Sequence, residues 1–181
     1  MIRTLTFSLL IILLSTACKK EDLGFTNHAG NSTVSAKLNG KDWFASGIGG
    51  ISYNRQDSFD TVFSVIEHGI LKEVLSFIAI PMKQGQHVIL DRMDRVTRDS
   101  LRPSYASFGT LLADGDVIGE WWDSTADTLH NYCIVDRVDT INKIIEGRFQ
   151  LMLVKDPERD LFDTPDTLRF EDGKFSAEIR W

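Results

Sequence analysis

The side chains best suited to hold a ligand lie next to one another: Glu120, Trp121, Trp122 and Asp123. Carbohydrate sites use this combination, because a flat aromatic ring covers the apolar face of a sugar and carboxylates accept hydrogen bonds from its hydroxyls. Neighbouring side chains of a strand point to opposite faces, so we expect one tryptophan in the core and the other facing outward or into a cavity. Tyr105 and Tyr132 are candidates to join this ligand platform. The alternative interpretation is a tryptophan covered by a loop.

Metal chemistry is not indicated by the four histidines, which are His28, His68, His87 and His130. None is spaced from another His or Cys as zinc ligands are. The run Asp114-Gly115-Asp116 begins like a calcium loop, but Ile118 stands where an oxygen ligand is needed. Residues 156–166 carry enough carboxylates for a hard cation, and we interpret them as a solvated acidic loop. We therefore expect no metal and no cofactor.

Enzyme chemistry has no motif to support it, since the chain contains neither a Gly-x-Ser-x-Gly elbow nor a P-loop. Serines and aspartates are plentiful, so a hidden triad stays open. A hydrolase is one alternative, and it predicts acids or a Ser–His pair that converge in a cleft near Glu120, Asp123 and His130. A non-enzymatic role is the main expectation.

The first 17 residues have the form of a secretory signal. Arg3 precedes an apolar run from Leu5 to Leu14, and small residues follow that run. A helix needs about 20 apolar residues to cross the hydrocarbon core, so this run is too short for a transmembrane anchor. Ser15-Thr16-Ala17-Cys18 resembles the lipobox of bacterial lipoproteins. That resemblance implies cleavage before Cys18, a diacylglycerol on its sulfur and further acylation, for example by palmitate, which together anchor a chain stably.

Three parts of the chain are therefore expected. Residues 1–17 are the lipoprotein signal peptide, residues 18–32 are the lipidated Cys18 and a flexible tether, and residues 33–181 are a single β domain. Lys20-Glu21-Asp22 resembles the export signal that places Bacteroidota lipoproteins on the outer face of the outer membrane. The resemblance implies a surface-exposed protein, with a plain soluble tether as the alternative.

Length, charge and cysteine count limit the function classes. The chain has 181 residues, a length that fits one domain. Its formal net charge of −6 disfavours nucleic acid and anionic lipid surfaces as partners. Two cysteines exclude a disulfide scaffold. Cys133 belongs to a set at every second position, with Leu129, Asn131 and Val135, that shares one face of a strand. This pattern predicts that Cys133 is a small buried apolar residue and not a catalytic thiol.

Turn signals between alternating runs predict about nine to eleven short strands. Asn39-Gly40 predicts a type I′ hairpin, whose two-residue turn fixes the register so that Ser35 lies opposite Phe44. Its buried face then holds Trp43, and its other face holds Ser35, Lys37, Asp42 and Phe44. Asp172-Gly173 predicts a second, closing hairpin. The chain is expected to break at the glycines 47, 49 and 50.

The pattern as a whole predicts an all-β fold, an antiparallel β-sandwich, with a lipocalin-like β-barrel as the alternative. The barrel would enclose a dry cavity among Phe63, Phe77, Phe108 and Phe149, whereas the sandwich would fill that space with side chains. Residues 73–80 are apolar on both faces and predict a central strand. Residues 91–103 predict either a short helix or a long loop.

Both ends of the chain resemble a family of uncharacterised Bacteroidota outer-membrane lipoproteins with a domain of unknown function. The matching parts are the lipobox, the Asn39–Trp43 hairpin, the block Asn142–Phe149 and the closing segments Pro165–Phe170 and Gly173-Lys174-Phe175. The resemblance implies a lipid-anchored all-β domain, and no site residue carries over. We expect a cell-surface lipoprotein that binds a glycan, a peptide or a partner protein. A lipocalin-like carrier of a small apolar ligand is the alternative.

Overall fold

The computed structural model describes residues 32–51, 58–67, 70–91, 103–112, 117–159 and 162–179. The predictions for the signal, Cys18, most of the tether, His28 and His68 lie outside the described residues. So do those for the segment 92–102 and for the run Asp114-Gly115-Asp116 that begins like a calcium loop.

Ten strands and one turn of 3₁₀ helix, Pro157–Arg159, make up the described part of the chain. The strands are β1 (Ser32–Leu38), β2 (Lys41–Ile51), β3 (Ser58–Glu67), β4 (Ile70–Pro81), β5 (Gly85–Val88), β6 (Tyr105–Leu111), β7 (Ile118–Ser124), β8 (Tyr132–Asp139), β9 (Ile144–Lys155) and β10 (Thr167–Glu178). No helix within the described ranges is long and apolar enough to cross a membrane.

All strand pairs are antiparallel and form one sheet in the order β10-β1-β2-β3-β4-β6-β7-β9-β8-β5. Strand β10 also pairs with β9, which therefore has β10 along one edge and β8 and β7 along the other. The sheet folds over on itself, so that β3, β4 and β6 face β9 and β10 across the interior. The predicted all-β antiparallel fold, consistent with a sandwich, is confirmed.

Aromatic rings fill the interior. Phe77 packs edge-on against Phe149 with ring centroids 5.0 Å apart, and Phe108 lies 5.4 Å from Phe170. These side chains are buried, as is Phe63. The space that the lipocalin-like alternative would leave as a cavity among the four predicted phenylalanines is thus occupied by side chains, as the sandwich interpretation requires.

The hairpin at Asn39-Gly40 is confirmed together with its register, which places Ser35 opposite Phe44. Both turn residues have positive φ, 49° and 80°, as a type I′ turn demands. Trp43 is buried, and its Nε1 donates to the Glu73 carboxylate at 2.6 Å. Its interpretation as a core residue is therefore confirmed.

The hairpin predicted at Asp172-Gly173 is wrong. Strand β10 continues through these residues and pairs with β9 on both sides of them. The register shifts between Phe170 and Gly173, and Asp172 has a φ of 52°, so the dipeptide forms a β-bulge. This bulge and a type I′ turn both place a residue at positive φ, so the two residues alone do not distinguish them.

The break predicted at the glycines 47, 49 and 50 is also wrong. Strand β2 runs on to Ile51 and pairs with β3, with a register shift between Ile48 and Ile51. The predicted central strand is confirmed, because β4 lies between β3 and β6 and ends at Pro81.

Candidate functional site

The structure divides the predicted ligand platform between the two faces of β7. Glu120 and Trp122 point to the buried side and are 1% and 2% exposed. Trp121 and Asp123 point to the other face and are half-buried. They pair with residues of the neighbouring strand β6. One tryptophan is in the core and the other on the outer face, as strand alternation predicted.

Trp121 lies against the backbone of Gly109 on β6, where an added Cβ atom would collide with the ring. Its Nε1 donates to the Asp123 carboxylate at 3.0 Å. Tyr105 is half-buried and pairs with Ile78 of β4. By alternation along β6 it faces the same side as Trp121, so the structure brings Tyr105, Trp121 and Asp123 to one face.

The Glu120 carboxylate does not reach the surface. Its Oε1 lies 3.5 Å from Lys155 Nζ, and its Oε2 accepts a hydrogen bond from the Thr164 hydroxyl at 2.5 Å. Lys155 in turn donates to the Thr164 carbonyl at 2.9 Å. A buried ion pair therefore anchors the loop that contains Thr164.

That loop covers Trp122. The indole Nε1 donates to the Pro165 carbonyl at 2.9 Å, and Lys155 Nζ lies 6.0 Å from the ring centroid. The loop-covered alternative concerns the outward-facing tryptophan, which is Trp121, whereas this loop covers the core tryptophan, Trp122. Sequence spacing did not indicate Lys155 as the partner of Glu120, because the two residues come from different strands.

The groups of the hydrolase alternative have separate partners. His130 Nδ1 lies 2.7 Å from the Asp127 carboxylate, and this contact lowers the pKa of Asp127. Asp123 accepts from Trp121, and Glu120 is buried beside Lys155. Within the described ranges, no three His, Cys, Asp or Glu side chains converge as metal ligands do.

Cys133 is buried on β8. Burial, with a smaller contribution from Asp136, raises the pKa of its thiol to about 12. The thiol is therefore protonated at neutral pH and packs as a small apolar group, as predicted. Asn131 and Val135 are buried with it, but Leu129 is 80% exposed in the turn before β8. The predicted alternation thus begins one step too early.

A groove of about 500 Å³ crosses the outer face of the sheet over β2, β1, β10, β9 and β8. This volume lies in the range of small-molecule sites. The lining mixes aromatic rings with hydrogen-bonding and charged groups, among them Ser35, Phe44, Tyr132, Arg148, Gln150 and Lys174. None of the residues 120–123 lines it, and neither does Tyr105.

Five lining residues form one row across these five strands. The directly opposed pairs are Phe44–Ser35, Ser35–Lys174, Lys174–Arg148 and Arg148–Ile134. Neighbouring strands are about 4.8 Å apart, so the row measures about 19 Å along the sheet. It begins with a ring that is 68% exposed, continues with a hydroxyl and two cations, and ends with an aliphatic side chain.

The bulge in β10 forms the floor of this groove. Gly173 lines it without a side chain, and an added Cβ atom would lie 2.6 Å from the Phe149 ring. Bulges bend a strand and reorient its side chains, and they are frequent beside binding and active sites. The irregularity at Asp172-Gly173 therefore coincides with the concave part of the sheet.

The charged groups of the groove differ in their partners. Lys37 donates to Asp42 at 2.6 Å, and this contact raises the pKa of Lys37. Arg148 donates through Nε and Nη2 to the two Asp136 oxygens, both at 2.9 Å, which lowers the pKa of Asp136. Among the described residues, none forms a salt bridge with Lys174.

Tyr132 and Gln150 form the wall of the groove on β8 and β9. The Tyr132 hydroxyl donates to Gln150 Oε1 at 3.4 Å. Gln150 also lines a smaller depression of about 280 Å³, together with His130, Met152 and Arg169. The concave surface therefore continues along β9 beyond the groove itself.

No sequence motif marks this groove as a site, because its side chains come from five strands. One signal was available. The register of the first hairpin placed Phe44 on the polar face, among Ser35 and Lys37, and an aromatic ring on such a face marks a candidate contact surface.

Comparison with known proteins gives no match: no protein-family model, no curated protein and no solved structure matches this chain.

Proposed function

We propose that this protein is a lipid-anchored binding module of the bacterial cell envelope, exposed on the outer face of the outer membrane. Its binding site is the groove over β2, β1, β10, β9 and β8. The observation that carries the binding function is the row from Phe44 to Ile134, which combines an exposed ring, hydrogen-bonding groups and cations on one concave surface. The likeness of Ser15–Cys18 to a lipobox, and of Lys20-Glu21-Asp22 to a surface-export signal, supports the location.

A glycan suits this groove better than an extended peptide. Peptides commonly bind as an added strand at a free sheet edge, whereas the groove lies on a sheet face whose strands already pair with their neighbours. Recognition therefore depends on side chains. The rings of Phe44 and Tyr132, the Ser35 hydroxyl and the Gln150 amide supply the stacking and hydrogen bonds that a sugar needs.

Replacing the predicted lipidation residue, Cys18→Ala, is expected to release the protein from membranes into the soluble fraction, because the acyl chains are its anchor. Cell fractionation measures this. Protease treatment of intact cells is expected to remove the wild-type domain. A variant that stays in the membrane fraction would contradict the anchor, and a wild-type protein protected from protease would contradict surface exposure.

Phe44→Ala is expected to weaken glycan binding about tenfold or more, since truncation of an aromatic anchor in a binding site costs about 1–2 kcal/mol or more. A glycan array identifies the ligand, and calorimetry then gives the affinities. Trp121→Ala is the matched comparison, because it removes the ring of the platform predicted on β7. A loss caused by Trp121→Ala and not by Phe44→Ala would move the site to β7 and contradict the groove.

No observation favours the two alternative functions. A lipocalin-like carrier needs interior space where the rings of Phe77 and Phe149 pack together. A hydrolase needs converging groups where Glu120, Asp123 and His130 have separate partners.

A further inference from the structure

We infer that the ligand of the groove is an acidic saccharide, and that Lys174 binds its carboxylate. This inference rests on the proposed function and specifies the chemical class of the ligand. It depends on the charges of the row, on the charge balance of the groove and on the groups beside Lys174.

Two like charges lie next to each other in adjacent strands of the groove. Lys174 of β10 lies directly opposite Arg148 of β9, and like charges in this position destabilise a sheet. Asp136 neutralises Arg148 through two hydrogen bonds. Lys174 has no salt bridge to any residue in the described part of the chain. An anion bound beside Lys174 would supply the missing counter-charge.

The carboxylates around Lys174 limit the size of that charge. The groove is lined by three cations, Lys37, Arg148 and Lys174, and by two anions, Asp42 and Asp172. Asp42 pairs with Lys37, and Asp136 pairs with Arg148. Lys174 is thus the lining cation without a salt bridge to the described residues. A group with one negative charge, such as a carboxylate, complements it, whereas the nearby carboxylates would repel a doubly charged phosphate.

The spacing of the row indicates what kind of molecule carries the carboxylate. Ser35 separates Lys174 from Phe44, so the Cα atoms of these two residues are two strand spacings apart, or about 10 Å along the sheet. An oligosaccharide can place one sugar on the ring, a hydroxyl near Ser35 and the carboxylate of a uronic acid at Lys174.

A set of paired probes tests this inference on the full chain. Oligogalacturonate, alginate and hyaluronan oligosaccharides are each compared with their methyl-esterified forms, which keep the sugar rings and lose the charge. Lys174→Gln removes the ammonium. Lys83→Gln is the matched control, because Lys83 is exposed in the turn between β4 and β5 and does not line the groove. Thermal unfolding verifies that all variants are folded.

At least one acidic oligosaccharide is expected to bind, more weakly as salt concentration rises. Methyl esterification and Lys174→Gln should each reduce its affinity about 10- to 100-fold, the usual value of a hydrogen bond to a charged group. Lys83→Gln should change nothing.

The inference is overturned if no acidic probe binds, if the esterified forms bind equally well, or if Lys174→Gln leaves the affinity within about twofold of wild type. Phe44→Ala separates this failure from that of the proposed function. If Phe44→Ala abolishes binding of a neutral glycan while Lys174→Gln does not, the groove remains the site and only the acidic ligand is rejected. If Phe44→Ala changes the binding of no glycan, both fail.

Discussion

Glu120→Ala is expected to lower the free energy of unfolding by about 3–5 kcal/mol, because it removes the buried carboxylate that faces the Lys155 ammonium. The two side chains are 1% and 6% exposed, and 3.5 Å separates their charged atoms. The variant also removes the acceptor for the Thr164 hydroxyl, so the loop over Trp122 loses an anchor. Urea denaturation followed by tryptophan fluorescence measures the change.

Replacing both partners separates the ion pair from simple packing. Glu120→Leu combined with Lys155→Met should be less destabilising than the sum of the single changes, since an apolar pair leaves no buried charge. Lys37→Ala is the matched control, because the Lys37–Asp42 pair is exposed and should contribute almost nothing to stability. Equal losses from Glu120→Ala and Lys37→Ala would contradict the buried pair.

Phe170→Ala is expected to destabilise the protein by about 3–5 kcal/mol, the usual cost of removing a buried phenylalanine ring. Phe170 is fully buried, and its ring lies 5.4 Å from those of both Trp43 and Phe108. It therefore joins β10 to the facing strands. It lies at the start of the bulge, and Gly173 at the other end of the bulge lines the groove. Chemical denaturation of the purified variant measures the loss.

Phe44→Ala is the matched control for that change, because it removes the same ring from an exposed position. Its stability should stay within about 0.5 kcal/mol of wild type. A loss of binding by Phe44→Ala at unchanged stability would then be assigned to the groove itself. A cost below about 1 kcal/mol for Phe170→Ala would contradict the described core.

Local sequence patterns predicted the parts of the fold that local rules determine. The Asn39-Gly40 hairpin was correct in turn type and register, because a two-residue turn leaves one choice of pairing. Asp172-Gly173 carries the same signal and forms a bulge instead. There β9 pairs with β10 on both sides of the dipeptide, and that long-range partner is not visible in a local pattern.

The site was harder to predict because its residues are brought together by tertiary structure. The carboxylate of Glu120 was expected beside a surface ligand, but Lys155, 35 positions along the chain in another strand, holds it in the interior. The groove combines five strands, and only Phe44 marked it in advance. Alternation correctly predicted that Trp121 and Trp122 lie on opposite faces, but it did not predict which surface is concave.

Ligands are expected to bind in the groove over β2, β1, β10, β9 and β8. Chemical-shift mapping of the isotope-labelled protein during titration with an array-identified glycan locates the binding site. The largest shifts are expected at backbone amides of the groove, with Ser35, Gln150 and Lys174 among them. Shifts centred on Trp121 and Asp123, with the groove amides unchanged, would contradict binding in the groove.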